Sequence, residues 1–451
     1  MRVVDCQGFA GGFTMGAVQA GLELVGKVEN VGGFGMAQCE ANRVLLGDTW
    51  EGQVGAPNTW HALPDVDVII ANPPCSGFSQ LSNPGFRGVG SRINSCMWDA
   101  MQYAAKTRPK IYVMESVRAA FTKGLPLMRE LRRGMEELTG ERWDLHHVVH
   151  DAYAVGGCQK RGRYFMVLSR VPFGVENVQL TAQPTVADAI SDLVDQPLNW
   201  DYEPYVAPPT WWSYQLRSDG GGFHGADPTE HFGVDGHALP LGGENNWILD
   251  LLDPDPSVWK QGRAECDAAR AYYETFGKFP ESWHVRTRLT RALGVRRTLA
   301  NRALEDDFNF GMFQAKRWKW HAPGWVITGA GPFQGIHPVL PRYFTHREIA
   351  RMMGFPDTWL IAPLRTDKTL QAGWGKGVTV HCGEWISRWV KSSIEGSPGI
   401  EQAGRRVSSF DRTVADEDRE WFIDVSKHWK NAPLSPATIA AASVLREENV
   451  A

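Results

Sequence analysis

The sequence predicts an α/β fold built around a doubly wound, mostly parallel sheet. Through residues 1–170, short apolar runs alternate with helix-length amphipathic segments, which is the pattern of strands joined by helical crossovers. A glycine-rich turn follows the first apolar run and opens a helix, and a cysteine follows a later run almost directly. Loops beyond the carboxyl ends of parallel strands carry reactive side chains, so we expect this cysteine at that edge of the sheet.

The individual elements can be assigned in chain order. The predicted strands are Arg2–Val4, Leu22–Val28, Val66–Ala71, Ile111–Met114 and Tyr164–Leu168. The predicted helices are the segment from the glycine-rich turn to Ala20, Thr345–Met353, Val380–Val390 and Ser435–Leu445. Thr345 and Glu348 have capping-box spacing, and Gly354 begins the stop of that helix. Residues 373–378 are predicted to form a tight glycine-rich loop.

Changes in composition indicate the domain boundaries. Residues 1–170 predict the main part of a catalytic domain, to which residues 336–395 return. Residues 171–335 are richer in Pro, Gly and Trp and predict a smaller inserted domain. Residues 396–451 read as a polar C-terminal extension.

One basic segment lies within the predicted insertion. Its arginines are Arg286, Arg288, Arg291, Arg296, Arg297 and Arg302. Two short helices around Gly294, loosely like a helix-turn-helix, fit the pattern, and so does a solvated arginine-rich helix. The formal net charge is −4, so any nucleic-acid surface must be a local patch.

Composition also excludes some classes of protein. No run of eighteen apolar residues occurs, and the first residues lack a signal-peptide layout, so neither a membrane span nor export is expected. The seven cysteines are scattered, with no CxxC pair and no metal-ligand spacing. That usage indicates a reducing cytoplasm and predicts no metal site.

Cys75 is the first candidate for chemistry. It follows Pro73 and Pro74, which lack backbone N–H groups and fix their own φ, so the chain leaves the strand in a stiff extended turn. A thiol placed there can act as a nucleophile. A buried, unreactive cysteine is the alternative that the local sequence leaves open.

The ends of other predicted strands carry further candidates. The glycine-rich turn suits a nucleotide-like cofactor, and Glu29 is placed where a carboxylate accepts from ribose hydroxyls. Glu115 is placed to share a proton with a ring nitrogen of a substrate. In Gln159–Arg163 the alternating Gln, Arg and Arg project to one side, where arginine binds a carbonyl oxygen or a phosphate. A surface glutamate and surface salt bridges are the alternatives.

Taken in order, these motifs resemble those of the DNA (cytosine-5) methyltransferase family. The resemblance covers about residues 1–195 and 315–390. The matching stretches are Asp5–Gly12, Pro73-Pro74-Cys75, Glu115-Ser116-Val117, Gln159–Arg163, Thr185–Ile190, Trp320–Thr328, Arg342–Asp357 and Gly375–Val378. The resemblance implies a class I S-adenosylmethionine-dependent methyltransferase-like fold, in which residues 171–335 form the target-recognition domain.

The resemblance also implies roles at the site. The target cytosine is flipped out of double-stranded DNA, and the Cys75 thiolate attacks its carbon 6. Glu115 hydrogen-bonds the ring nitrogen and the exocyclic amine, Arg161 holds the carbonyl oxygen, and Gln159 and Arg163 complete the base-handling set. S-adenosylmethionine is expected to contact Asp5, Gly8, Phe9, Gly11, Gly12, Phe13, Glu29, Asn58, Pro73, Lys376, Gly377 and Val378.

The resemblance further implies a cellular setting. We expect a monomer acting on double-stranded DNA in a bacterial or phage-infected cell, in restriction-modification or phage DNA modification. DNA phosphates are expected to meet arginines of the basic segment.

Several positions depart from the family pattern. Gln7 stands where the family has Phe, and Phe9 where it has the first glycine of the turn. Asn58 falls where an aspartate accepts from the adenine amine, and Ser116 and Lys376 each replace an asparagine. The base-handling residues are retained, so the changes gather around the cofactor and the transferred group.

Lys376 gives rise to a sharper hypothesis. A lysine within ~6 Å of a sulfonium would cost on the order of 1–3 kcal/mol at an effective dielectric of about 20. A carboxylate on the transferred carbon would turn that repulsion into a salt bridge, so carboxy-S-adenosylmethionine and carboxymethyl transfer form one hypothesis. In the alternative, Lys376 faces solvent or a DNA phosphate and methyl is transferred. A catalytically inactive DNA-binding relative is a third possibility.

Overall fold

The computed structural model describes most of the predicted catalytic domain and short parts of the remainder. The described residues are 1–30, 34–79, 87–176, 178, 183–193, 316–318, 320–328, 335–336, 344, 346–361, 373–396, 405–406 and 419–425. They fall into two compact units. The first holds the described residues up to Gln183, residues 353–355 and those from Lys376 onward, and the second holds those within 184–352 and 356–375.

A nine-stranded sheet forms the centre of the first unit. From one edge to the other, its strands are β10 (Arg405–Arg406), β11 (Glu420–Asp424), β6 (Asp144–Asp151), β7 (Gly162–Ser169), β5 (Ile111–Val117), β4 (Val68–Ala71), β1 (Arg2–Cys6), β2 (Glu23–Glu29) and β3 (Glu51–Val54). The pairings from β5 to β3 are all parallel, as is β6 with β11. The predicted mostly parallel α/β fold is therefore confirmed.

The structure corrects the predicted strands in three respects. β7 runs antiparallel to both β5 and β6, so the last predicted strand is not part of the parallel set. β4 begins at Val68 rather than Val66, and β5 continues to Val117, so Glu115 lies inside a strand. β3, β6 and β11 were not predicted, because charged residues and histidines interrupt their apolar patterns.

Helices cover both faces of the sheet, as doubly wound folds require. On one face, α4 (Ser95–Thr107) and α5 (Arg118–Thr139) share a core with Tyr164 and Met166 of β7. On the other face, Phe165 packs edge-to-face against Phe13, with ring centroids 5.8 Å apart. Phe13 belongs to α1 (Gly12–Gln19), and the remaining helices near β2 and β3 are α2 (Phe34–Ala41) and α3 (Arg43–Leu46).

The last helix of the domain packs directly against the first helix. The helix runs from Val380 to Glu395, longer than predicted. A Cβ built on Gly16 of α1 would lie 2.4 Å from the backbone nitrogen of Glu384, so the two helix backbones touch where only hydrogen fits. This close crossing holds the predicted final motif against the first glycine-rich turn.

The described residues of the second unit include two further α-helices, α6 (Val186–Ile190) and α7 (His346–Met352). The helix Val380–Glu395 of the first unit is α8. A capping box between Thr185 and Asp188 begins α6. The backbone nitrogen of Ala187 donates to the carbonyl of Trp320 at 3.0 Å, so two stretches of the family resemblance meet here. A two-stranded parallel sheet, β8 (Lys316–Arg317) with β9 (Gly335–Ile336), belongs to this unit.

Several predicted features lie outside the described residues. They are the arginine segment Arg286–Arg302, the cap at Thr345 and the helical pattern Ser435–Leu445. Residues 373–376 form one helical turn, which corrects the predicted loop over 373–378. Among the described helices, none combines the length and apolar character that crossing a membrane demands.

Candidate active site

Sheet register brings the predicted nucleophile and the predicted acid together. Ala71 of β4 is paired with Met114 of β5, so Asn72 follows β4 at the level of Glu115. Pro73 is buried, and Cys75 is half-buried two residues beyond it. Cys75 packs against the hydrophobic core that contains Met114 of β5.

Glu115 is almost completely buried and touches two side chains. The Asn72 amide Nδ2 donates a short hydrogen bond to its Oε2. Arg163 Nε lies 2.8 Å from its Oε1 and forms an ion pair. Burial raises the pKa of Glu115, while the charges of Arg163 and Arg161 oppose that rise.

The arginine motif has the predicted geometry. Gln159, Arg161 and Arg163 are buried, whereas Lys160 between them is exposed, as side-chain alternation predicts. Arg161 Nη2 donates to the carbonyl of Gly377 at 2.7 Å. Burial lowers the pKa of Arg161 to about 9, with a further contribution from Arg163, so its guanidinium stays charged at neutral pH.

The Cys75 thiol is not activated in this structure. Burial raises its pKa, and the negative charge of Glu115 raises it further, outweighing the charges of Arg163 and Arg161. The thiolate attack that the family resemblance implies therefore depends on a change at Glu115, because a protonated Glu115 would repel the thiolate less.

At the other end of the site, three charged groups form a buried cluster. Lys27 has no exposed surface, and its Nζ lies 2.7 Å from Asp5 Oδ2 and 3.2 Å from Glu29 Oε1. Thr14 also donates to Asp5 Oδ2. Burial disfavours the charge on Lys27, but the carboxylates, Asp5 foremost, outweigh it and raise the lysine pKa. Burial also raises the pKa of Glu29, against the opposing charge of Lys27.

The glycine-rich turn above this cluster adopts a conformation that suits glycine. Gln7 has φ 59° and Phe9 has φ 47°, both in the left-handed region, and Gly11 has φ 89°. A left-handed non-glycine residue costs roughly 1–2 kcal/mol, so the two departures from the family pattern carry backbone strain at the site. A Cβ on Gly8 would lie 2.0 Å from Asp5 Oδ2, so the protein's own packing already requires that glycine.

The residues around the turn fit a nucleoside-containing cofactor. Asp5 Oδ1, Asn30 Oδ1 and both polar atoms of the Gln7 amide are buried and have no hydrogen-bond partner among the described residues. Buried polar atoms are normally satisfied, so this set of acceptors plus one amide matches ribose hydroxyls and an adenine.

Residues of the predicted final motif contact both the base-handling residues and the helix that follows the glycine-rich turn. Gly377 meets Arg161 through its carbonyl, and a Cβ on Gly12 would lie 1.9 Å from the Val378 carbonyl oxygen. Lys376, one residue earlier, is exposed.

The other predicted contacts lie in different surroundings. Phe13 is fully buried against Phe165, so any cofactor contact falls to its main chain. Asn58 is exposed on a single turn of 3₁₀ helix, Pro57–Thr59.

Sequence reasoning missed two residues of the site, Asn72 and Lys27. Asn72 directly precedes Pro73, at the end of a fully apolar strand. Lys27 lies two residues before Glu29, on the same face of β2, and pairs in register with Asp5. A charged residue inside an apolar strand was a signal that could have identified it.

Comparisons with known proteins identify the relatives of this chain. Type II methyltransferase M.HhaI of Haemophilus parahaemolyticus is 25% identical over 196 residues, which are 43% of this chain and 57% of that protein, so the match spans little more than half of the relative. Type II methyltransferase M.XorII of Xanthomonas oryzae pv. oryzae is 24% identical over 383 residues, 78% of this chain and 76% of the relative.

A solved structure shows the same fold. A DNA modification methyltransferase encoded within an E. coli prophage has a TM-score of 0.52 at 17% identity, covering 88% of this chain and 99% of that one. The model of the family "C-5 cytosine-specific DNA methylase" matches residues 1–391, most of the chain. The chain therefore belongs to the C-5 cytosine-specific DNA methylase family.

Proposed function

We propose that this protein transfers a methyl group to carbon 5 of cytosine in double-stranded DNA, through a covalent adduct between Cys75 and a flipped-out base. The observation that carries the proposal is the convergence of Cys75, Glu115, Arg161 and Arg163 on two adjacent strands and the loops beside them. Extruding the base is required because the ring carbons of a stacked cytosine are inaccessible.

Each side chain has a distinct task in this mechanism. Arg161 binds the carbonyl oxygen of the base, and Glu115 hydrogen-bonds the ring nitrogen and exocyclic amine. The Cys75 sulfur adds to carbon 6, which makes carbon 5 nucleophilic. The turn and the residues around Asp5 and Glu29 would hold S-adenosylmethionine, whose sulfonium would supply an electrophilic methyl group to carbon 5 and leave as the neutral thioether. A proton acceptor then takes the proton from carbon 5, and the Cys75 sulfur leaves carbon 6 as a thiolate.

The electrostatics support an activation step that depends on the substrate. In the free site the Glu115 charge helps to keep Cys75 in its thiol form. When Glu115 carries a proton shared with the base, that repulsion falls and the thiolate becomes more accessible. The nucleophile would therefore be activated only when cytosine is present.

Covalent trapping tests the proposal. In DNA with 5-fluorocytosine, fluorine cannot leave as a proton does, so the adduct should persist on a denaturing gel. Cys75→Ser should form none while still binding DNA. The catalytically inactive alternative predicts DNA binding without an adduct and without 5-methylcytosine in unmodified DNA, and that result would refute our proposal.

A second candidate is carboxymethyl transfer from carboxy-S-adenosylmethionine. It rests on the position of Lys376 directly before Gly377, whose carbonyl accepts from Arg161; the exposure of Lys376 also fits the alternative, in which this lysine faces solvent. With this cofactor, mass spectrometry of nucleosides should detect 5-carboxymethylcytosine, and Lys376→Asn should lower its yield at least tenfold, the effect of losing about 1.4 kcal/mol. Only 5-methylcytosine with either cofactor, unchanged in the variant, would contradict it.

A further inference from the structure

An asparagine that belongs to none of the matching motifs donates a hydrogen bond to Glu115, the predicted acid. Asn72 is 1% exposed and donates through Nδ2 to Glu115 Oε2, while its backbone N–H donates to the Cys6 carbonyl at 2.9 Å. Its conformation is thus fixed from both ends. The family motif has an asparagine after the glutamate, where this chain has Ser116, whose buried hydroxyl has no hydrogen-bond partner among the described residues.

The contacts of Glu115 engage both of its carboxyl oxygens. An amide nitrogen can only donate, so Oε2 accepts from Asn72. Arg163 Nε can likewise only donate, and it lies 2.8 Å from Oε1 in an ion pair. The amide and the guanidinium thereby orient the carboxyl group from two sides.

We propose that Asn72 is a positioning residue for the reaction, in which its amide holds Glu115 at the level of the Cys75 loop. The inference rests on the proposed function. Pro73 and Pro74 follow Asn72 directly and restrict the backbone between it and Cys75, so one side chain links the positions of acid and nucleophile. Misplacing a catalytic group by about 1 Å can cost about 100-fold in rate.

The groups that face Glu115 determine the expected effect of pH. They are Cys75, Arg161 and Arg163, besides the Asn72 amide. Hydrogen bonding from Asn72 favours the ionised carboxylate, so its loss should raise the Glu115 pKa. A carboxylate at position 72 should raise it further, because two like charges would then be adjacent.

The test uses the full chain and the rate of adduct formation with 5-fluorocytosine DNA across pH. We expect Asn72→Leu to slow the reaction by about 10- to 100-fold with little change in DNA affinity. One limb of the pH profile should reflect the titration of Glu115, and Glu115→Gln should abolish that limb. The limb should lie at higher pH in Asn72→Leu and at still higher pH in Asn72→Asp. Asn42→Leu, which removes another buried asparagine, controls for loss of stability and should leave that limb in place.

The outcomes separate this inference from the function it rests on. Wild-type rates and an unmoved limb in both variants would overturn it, as would slower rates without any shift, since these would indicate a merely structural role. Asn72→Asp keeps the shape of the side chain and so covers the case in which Asn72→Leu fails to fold. If wild-type protein forms no adduct, the proposed function itself fails, and this inference with it.

Discussion

At the scale of single residues, the least expected feature is a buried lysine. Lys27 has no solvent-exposed surface and sits between Asp5 and Glu29 beneath the glycine-rich turn. Removing a charge from water costs several kcal/mol, and only well-placed partners compensate for it. Such a cluster is weak evidence for net stability, but it is strong evidence that each member depends on the others.

Lys27→Met should therefore destabilise the protein by about 3–5 kcal/mol, because it leaves two buried carboxylates without their cation. Chemical denaturation measures the loss. Lys110→Met is the matched control: Lys110 pairs with Asp67 at 2.8 Å, but its side chain is 49% exposed. We expect that change to cost less than about 1 kcal/mol. Equal losses in the two variants would show that the buried cluster is not interdependent.

At the scale of elements, side chains of β6 help to hold β11, the last described strand, in the sheet. His147 Nε2 lies 2.6 Å from Glu420 Oε1, and its Nδ1 lies 2.6 Å from the Tyr164 hydroxyl. Burial lowers the pKa of His147, so the neutral ring donates to Glu420 and accepts from Tyr164. Arg129 Nε also binds Glu420, at 3.0 Å, so a network of buried polar side chains holds β11 against β6.

A neighbouring histidine on the same strand makes this junction sensitive to acid. His146 stacks on Trp421 with ring centroids 4.7 Å apart, and both of its ring nitrogens lack hydrogen-bond partners among the described residues. Burial above all lowers the His146 pKa to about 3. Between about pH 6.5 and 3 the unfolded chain binds a proton that the folded chain excludes, so stability falls as pH falls.

His146→Phe should reduce this pH dependence. From pH 7 to pH 5 the wild-type free energy of unfolding should drop by up to about 2 kcal/mol more than that of the variant, since one proton contributes about 1.4 kcal/mol per pH unit below 6.5. Denaturant unfolding at the two pH values measures it. His61→Phe removes a histidine whose side chain is 66% exposed, and we expect it to behave like wild type. The same drop in wild type and His146→Phe would contradict the assignment.

At the scale of the whole molecule, the family match ends at residue 391, but the described sheet does not. β11 adds a parallel strand to β6, and β10 pairs with it in turn. The segment predicted as a polar extension therefore contributes two strands to the catalytic sheet. With a net charge of −4, the proposed binding to DNA would have to rely on local positive patches, and the arginine segment Arg286–Arg302 remains the prediction for one of them.

The sequence by itself determined the fold class and the family, because motifs at strand ends such as Pro73-Pro74-Cys75 and Gln159–Arg163 are local and ordered along the chain. The roles of the base-handling residues stay a prediction. Only the tertiary structure decided how these side chains are paired. The antiparallel register of β7 brings Arg163 to Glu115, and the parallel register of β4 brings Asn72 to the same carboxylate. Register and burial arise from contacts between residues distant in sequence, so the Asn72 and Lys27 contacts and the raised Cys75 pKa were not visible in local pattern.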